Sequence, residues 1–305
     1  MRAAGTVLDS LQGLALGDAF GDRWFSVRLD EAPAALATRQ IRPAPWHWTD
    51  DTAMALVLVR HLHTHGEVRQ DVLAREFAEE YTAEYGRKYG PSMHRVLREI
   101  GRGEDWRAVT SGQFGGQGSY GNGTAMRVAP LGAWFADDLD AVARQAELQA
   151  LTTHFHPEAV AGAVAVALAA ALAARSRGET PPTRAELLTE VAGRLSDGDV
   201  RSGLRIAARL PEHTSVRQAS NVLGSGLLLS APDTVPFALW SAAGHLDSLP
   251  DALWHTLEGW GDKDTTCAIA AGVVAARTGL AGVPAPWLAA REDLPDWVGE
   301  VSTAL

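Results

Sequence analysis

The sequence predicts an all-α protein, and three observations predict it. Apolar residues recur at helical spacing nearly throughout, in long Ala/Leu/Val segments separated by short Gly, Pro and Asp punctuation. No stretch sustains the period-two alternation of β-branched residues that a strand requires. No linker rich in Pro, Ser or charge divides the chain and no array of short repeats runs through it, so residues 1–305 are expected to form one compact domain.

Helices are expected over 3–20, 50–65, 70–85, 91–102, 124–136, 138–152, 157–176, 183–196, 199–209, 214–228, 234–245, 248–259 and 265–278. The first contains Asp9, Gln12 and Asp18, which interrupt any signal-peptide core. The second starts at Thr49-Asp50-Asp51-Thr52 and runs on as AMALVLV. Its end carries His61, His63 and His65, of which only the outer two share a face. With no carboxylate nearby in sequence, they read as a solvated helix end. Pro130 falls inside 124–136 and is expected to kink it. Asp137 and Asp138 precede the next helix, and Pro157 with Glu158 opens the one after. That helix holds the most apolar run, AVAGAVAVALAAALAA at 159–174. It is shorter than the ~20 residues a bilayer demands and is mostly alanine, so it is expected to be buried in a soluble core. Gly279, two residues after Arg277, is the expected stop of the last helix. Segments 22–48 and 103–123 are expected to be loops, and the ten tryptophans, Trp46 and Trp48 among them, to fill the core.

Composition narrows the function classes. The 305 residues are 46% hydrophobic and 21% charged, enough to bury a large core and too apolar for a disordered chain. Twenty-seven basic residues against 37 acidic ones give a net charge of −10, which counts against a nucleic-acid-coating protein. The single cysteine, Cys267, excludes an internal disulfide and an all-thiolate zinc site. Without a targeting signal in the sequence, the expected compartment is the cytoplasm.

Two acidic clusters carry the chemistry. Thr49-Asp50-Asp51-Thr52 and Asp262-Lys263-Asp264-Thr265-Thr266 each open a strongly apolar helix. N-capping accounts for one such residue per helix. Two carboxylates at each of two buried helix starts repel one another unless a cation lies between them. Aspartate and threonine oxygens are hard ligands, suited to Mg²⁺ or Mn²⁺. The third feature is GQFGGQGSYGNG at 112–123, six glycines in twelve residues leading into a helix. Such a loop can aim backbone N–H groups at a phosphate, and Phe114 and Tyr120 offer flat faces for a base. It is neither a Walker loop nor a dinucleotide fingerprint. Asp18, in GDAFGD, reads as part of a helix-terminating turn. His154 lies at a helix junction, where it can cap or reach a ligand.

Taken together, GLALGDAFG, HWTDDTAMAL, GSYGNGTAMRVAPLG, THFHPEAVAGAVAVAL, TVPFALW and GDKDTTCAIAAGVVAARTG resemble, in this order, the motifs of the ADP-ribosylglycohydrolases. The glycine loop is most similar to that of the branch that hydrolyses serine-linked ADP-ribose. The resemblance implies an orthogonal all-α fold with a dinuclear Mg²⁺ or Mn²⁺ centre at the base of a cleft. It implies Thr49, Asp50, Asp51, Asp262, Asp264 and Thr265 as metal ligands, with Asp50, Asp51 and Asp264 central to catalysis. Gly118, Ser119, Tyr120, Gly121 and Asn122 would line the pyrophosphate with His154 nearby, and Phe114 would stack on adenine. The implied activity is hydrolysis of the bond between ADP-ribose and a protein side chain or small conjugate. Its rivals are a non-catalytic ADP-ribose-binding module and a phosphohydrolase that cuts the pyrophosphate.

Two departures stand out. The family's Gly-Gly-Asp-Thr-Asp is Trp260-Gly261-Asp262-Lys263-Asp264 here, and the serine branch's mobile glutamate falls on Phe25. Asp22 is the nearest acid that would serve in its place.

Overall fold

A computed structural model describes residues 2–28 and 30–299; Leu29 and both ends of the expected 1–305 domain lie outside the described residues. In chain order the helices are α1 (Arg2–Asp22), α2 (Ala32–Thr38), α3 (Asp50–His65), α4 (Gln70–Ala83), α5 (Pro91–Gly101), α6 (Trp106–Ser111) and α7 (Gln113–Gly116). A 3-10 turn (Asn122–Thr124) follows. Then come α8 (Ala129–Trp134), α9 (Leu139–Leu151), α10 (Pro157–Arg175), α11 (Arg184–Gly193), α12 (Asp199–Arg209) and α13 (Val216–Leu223). The last are α14 (Ala231–Ala243), α15 (Leu249–Leu257), α16 (Lys263–Thr278) and α17 (Ala285–Ala290). Helix makes up 66% of the described residues, which contain no strand.

Elementary chemistry sets most helix limits. Thr49, Asp138, Thr183, Ser215 and Ser248 each accept a backbone N–H at a helix start, and Thr183–Glu186 and Ser215–Gln218 close reciprocal capping boxes. Pro157 begins α10, and Gly279 caps α16 at φ 61, a left-handed angle that glycine adopts without strain. Pro130 departs from expectation. It sits in the first turn of α8, so the predicted 124–136 helix is a 3-10 turn, a break and a short helix begun by proline. The 214–228 helix stops at Leu223, because Gly224 and Gly226 take φ of 86 and 91. Both expected loops carry short helices, α2 in one and α6 and α7 in the other.

Gly162 to Ala171 of α10 are buried without interruption, as expected of a core helix. The α1–α16 pair positions the site. Gly13, Gly17 and Gly21 form one stripe along α1 against α16. A Cβ at each would lie 2.2 Å from Ala275 Cβ, the Cys267 carbonyl oxygen and the Lys263 carbonyl oxygen, respectively. Only glycine permits so close an approach. Rising numbers on α1 meet falling numbers on α16, so the helices run antiparallel, and the C-terminal end of α1 lies beside the N-terminal end of α16. Below that junction Phe20, Trp24, Trp46, Trp254 and Trp287 pack ring against ring at 5.1–6.3 Å. Aromatic pairs of this kind add about 0.5–1.5 kcal/mol each beyond their buried area.

Candidate metal centre and ligand cleft

Asp18 organises the floor. It lies on the buried stripe of α1 with Leu11 and Leu14 and is wholly inaccessible to solvent. Its Oδ2 accepts from the Thr49 amide at 2.8 Å, the Thr52 amide at 3.2 Å and Thr52 Oγ1 at 2.5 Å; its Oδ1 accepts from Thr49 Oγ1 at 2.9 Å. One carboxylate thus fixes the start of α3. Burial raises its pKa to about 6, although all four hydrogen bonds pull the other way. The sequence reading of Asp18 as a turn residue missed this role. The signal was an acid in register with leucines on a buried helical stripe.

Pinned in this way, α3 presents Asp50 and Asp51, both buried. Asp262 and Asp264 stand at the start of α16. Burial first, then repulsion by Asp18, raises Asp50 and Asp51 well above the ordinary carboxylate range. Asp264 rises by burial first and then by repulsion, most strongly from Asp262 and next from Asp18. The buried Oδ2 of Asp51 has no hydrogen-bond partner among the described residues. Lys263 lies between the two α16 acids in sequence, yet it turns its ammonium away. Its Nζ lies 4.1 Å from the Phe25 ring centre and 5.0 Å from that of Trp260, and donates to the Gly261 carbonyl at 3.4 Å. Repelling carboxylates, an orphaned carboxylate oxygen and an all-oxygen donor set fit hard divalent cations.

The glycine loop forms the facing wall. Phe114 adopts φ 50 and Gly115 φ 70, so α7 reverses its hand and leaves the Phe114 ring 62% exposed at the rim. Gln113 beneath it is buried and donates to the Thr153 carbonyl at 3.0 Å. Gly118 sits with φ 76 against His156, where a Cβ would come within 2.7 Å of the His156 nitrogen. Asn122 ties this wall to the acids: its Nδ2 donates to Asp262 Oδ2 at 2.7 Å and to Thr234 Oγ1 at 3.1 Å. The Asn122 and Ala231 amides pair with the Leu229 and Tyr120 carbonyls, joining the loop to residues 229–231. The amides of Ser119 and Tyr120 meet no acceptor among the described residues.

A single cleft of about 540 Å³ results. Asp50, Asp51, Asp262, Asp264, Thr265, Phe114, Ser119, Tyr120, Gly121, Asn122 and His154 all line it, so the structure gathers eleven of the predicted site residues. Three others stand outside its wall. Thr49 faces Asp18 and caps the Asp51 amide, and Gly118 serves the loop's contact with His156. Asp22, the substitute acid, is ion-paired with Lys88. Lys88, Met54, Met126 and Leu228 join the lining unforeseen.

His61 corrects its sequence reading as solvated. It is fully buried, with Nδ1 2.6 Å from Glu76 Oε2 and Nε2 accepting the Arg69 amide at 2.9 Å. Its partner carboxylate comes from α4, 15 residues on, and not from the neighbouring Glu67. His65 and Glu76 also converge with it, but both His61 nitrogens are already engaged, so the ring is a satisfied core histidine.

Comparison with known proteins bears on this cleft. A family model described as ADP-ribosylglycohydrolase matches residues 2–305. The cattle (Bos taurus) protein named ADP-ribosylhydrolase ARH3 is 30% identical over 79% of this chain and 73% of its own length. A Serratia proteamaculans protein named ADP-ribosylarginine hydrolase Tri1 is 23% identical over 92% of this chain and 73% of its own. A solved structure titled ADP-ribosylglycohydrolase-related protein complex superposes with a TM-score of 0.67 at 23% identity, over 99% of this chain and 96% of that one.

Proposed function

The chain belongs to the ADP-ribosylglycohydrolase family, and from that premise we propose that it hydrolyses the glycosidic bond joining ADP-ribose to a protein side chain or small conjugate, using two Mg²⁺ or Mn²⁺ ions. The observation that carries this is the convergence of both acidic clusters and the glycine loop on one cleft. Asp50, Asp51, Asp262, Asp264 and Thr265 would hold the ions, with Thr49 behind them. When bound, the ions supply Lewis-acid charge and a more acidic water for attack at the anomeric carbon. The chain's own residues bind and orient. The Ser119 and Tyr120 amides and His154 face the pyrophosphate, and Phe114 offers a base its exposed ring. In an acidic protein these donors, together with the ions, offset the charge of the phosphates.

The linkage follows from the leaving group. By motif position Phe25 replaces the glutamate that would deliver a proton, its ring lies 4.1 Å from the Lys263 ammonium, and Asp22 is engaged by Lys88. A serine alkoxide is a poor leaving group that benefits from protonation. Conjugates of acetate, phosphate or a delocalised nitrogen base need less help. The protein should therefore cleave such activated conjugates faster than serine-linked ADP-ribose.

The test is a panel of defined serine, arginine, acetyl and phosphate conjugates incubated with Mg²⁺ or Mn²⁺, the products resolved by chromatography. Free ADP-ribose, released fastest from the activated conjugates, is expected. AMP with ribose phosphate would move the reaction to the pyrophosphate. Binding without any product would make the protein a reader of ADP-ribose.

A further inference from the structure

Arg127 is fully buried, and its guanidinium is hydrogen-bonded to no carboxylate among the described residues. It lies 4.4 Å from the Phe77 ring centre. Its Nε donates to Gln149 Oε1 at 2.9 Å, and its Nη2 to the Gln149 carbonyl at 3.2 Å and to Thr153 Oγ1 at 2.9 Å. Thr153 is also fully buried, and its Oγ1 stands 2.9 Å from His154 Nδ1. The proton on this last contact can be placed by counting donors. A guanidinium only donates, so Thr153 accepts from Arg127 and its own hydroxyl hydrogen needs an acceptor. Among the described residues His154 Nδ1 is the acceptor within reach. Were Nδ1 protonated, two N–H groups would converge on the Thr153 oxygen and a buried O–H would go unpaired, which folded proteins rarely tolerate. Nδ1 therefore carries the lone pair and Nε2 the hydrogen. Nε2 faces the cleft beside the glycine loop, where a Cβ at Gly121 or Gly123 would come within 3.2 Å of it.

We propose that Arg127 and Thr153 are positioning residues that fix His154 as the Nε2–H tautomer and so make it a standing hydrogen-bond donor to the anionic part of the ligand held by the glycine loop. The proposal rests on the reading of the cleft as an ADP-ribose site. Burial supports it by driving the imidazole pKa down to about 3, with the Arg127 charge acting in the same direction. A second ring proton is thereby excluded near neutral pH. The donor is directional and adds no charge that could compete with the metal ions for the acids opposite.

Histidine ring ¹⁵N spectra of the full chain read the tautomer directly and without ligand. The wild type should show a protonated Nε2 and an unprotonated Nδ1. Thr153→Val keeps the shape but removes the hydroxyl. It should mix the tautomers and weaken ADP-ribose binding by about tenfold in calorimetry, and Thr153→Ser should restore both. A wild-type Nδ1–H signal, or an unchanged tautomer and affinity in Thr153→Val, overturns the proposal. Should Thr153→Val fail to fold, the wild-type spectrum still decides. An Nε2–H ring in a wild-type protein that takes up no ADP-ribose supports the relay and overturns the nucleotide reading of the cleft.

Discussion

At the residue scale, the chemistry turns on carboxylates that are costly to hold together. Asp51 is buried, repelled by Asp18, Asp264, Asp50 and Asp262, and keeps an oxygen unpaired among the described residues. Asp51→Asn keeps its shape and removes its charge, so the sign of its effect should depend on metal. In chelator the variant should melt above the wild type, because a repelled buried charge is gone. In Mg²⁺ the order should reverse, and turnover of ADP-ribose conjugates should fall by about 100-fold or more. A variant that melts like the wild type under both conditions and keeps its activity would remove Asp51 from the metal site. Asp18 shows what a single sequence conceals. Its environment comes from α3, 31 residues further on, and no local pattern records that its oxygens bind two threonines there.

At the element scale, the glycine stripe of α1 holds the acidic ends in register. Gly17→Ala would place a methyl group 2.2 Å from the Cys267 carbonyl oxygen, on a backbone that cannot yield without parting α1 from α16. Overpacking of this kind typically costs about 1–3 kcal/mol. The variant should lose stability by that amount or more in denaturant melts. It should also bind divalent ions more weakly, since Asp18 and Asp264 ride on the two separated helices. Wild-type metal affinity in a folded Gly17→Ala protein would show that helix spacing does not tune the site. Most helices were legible because capping and periodicity are local. Those of 22–48 and 103–123 were not, because α2, α6 and α7 are too short to show a period.

At the scale of the whole molecule, the metal centre should act as a clasp. Its ligands come from α3 and α16, separated by some two hundred residues, and such a site exists only in the folded chain. Added Mg²⁺ or Mn²⁺ should therefore raise the melting temperature. An ion at ~100 times its Kd stabilises by about 2.7 kcal/mol, or roughly 4 °C for a chain this long. Chelator should reverse the shift, and the double variant Asp51→Asn, Asp264→Asn should abolish it. A melting temperature indifferent to divalent ions would sink the dinuclear reading.

The sequence by itself determined the helical class, most helix boundaries, the two acidic clusters and the glycine loop, since each is written in contiguous residues. It also carried the family resemblance, through motif order along the chain. Tertiary structure alone decided that these motifs share one cleft, and it did so through the antiparallel fit of α1 on α16 and the bond from Asn122 to Asp262. It placed Asp22 on Lys88 and Lys263 over Phe25 and Trp260, and it buried His61 against Glu76. The reason is physical. Charged and hydrogen-bonding side chains take their roles from whichever partners the fold brings within about 3 Å, and those partners are distant in sequence.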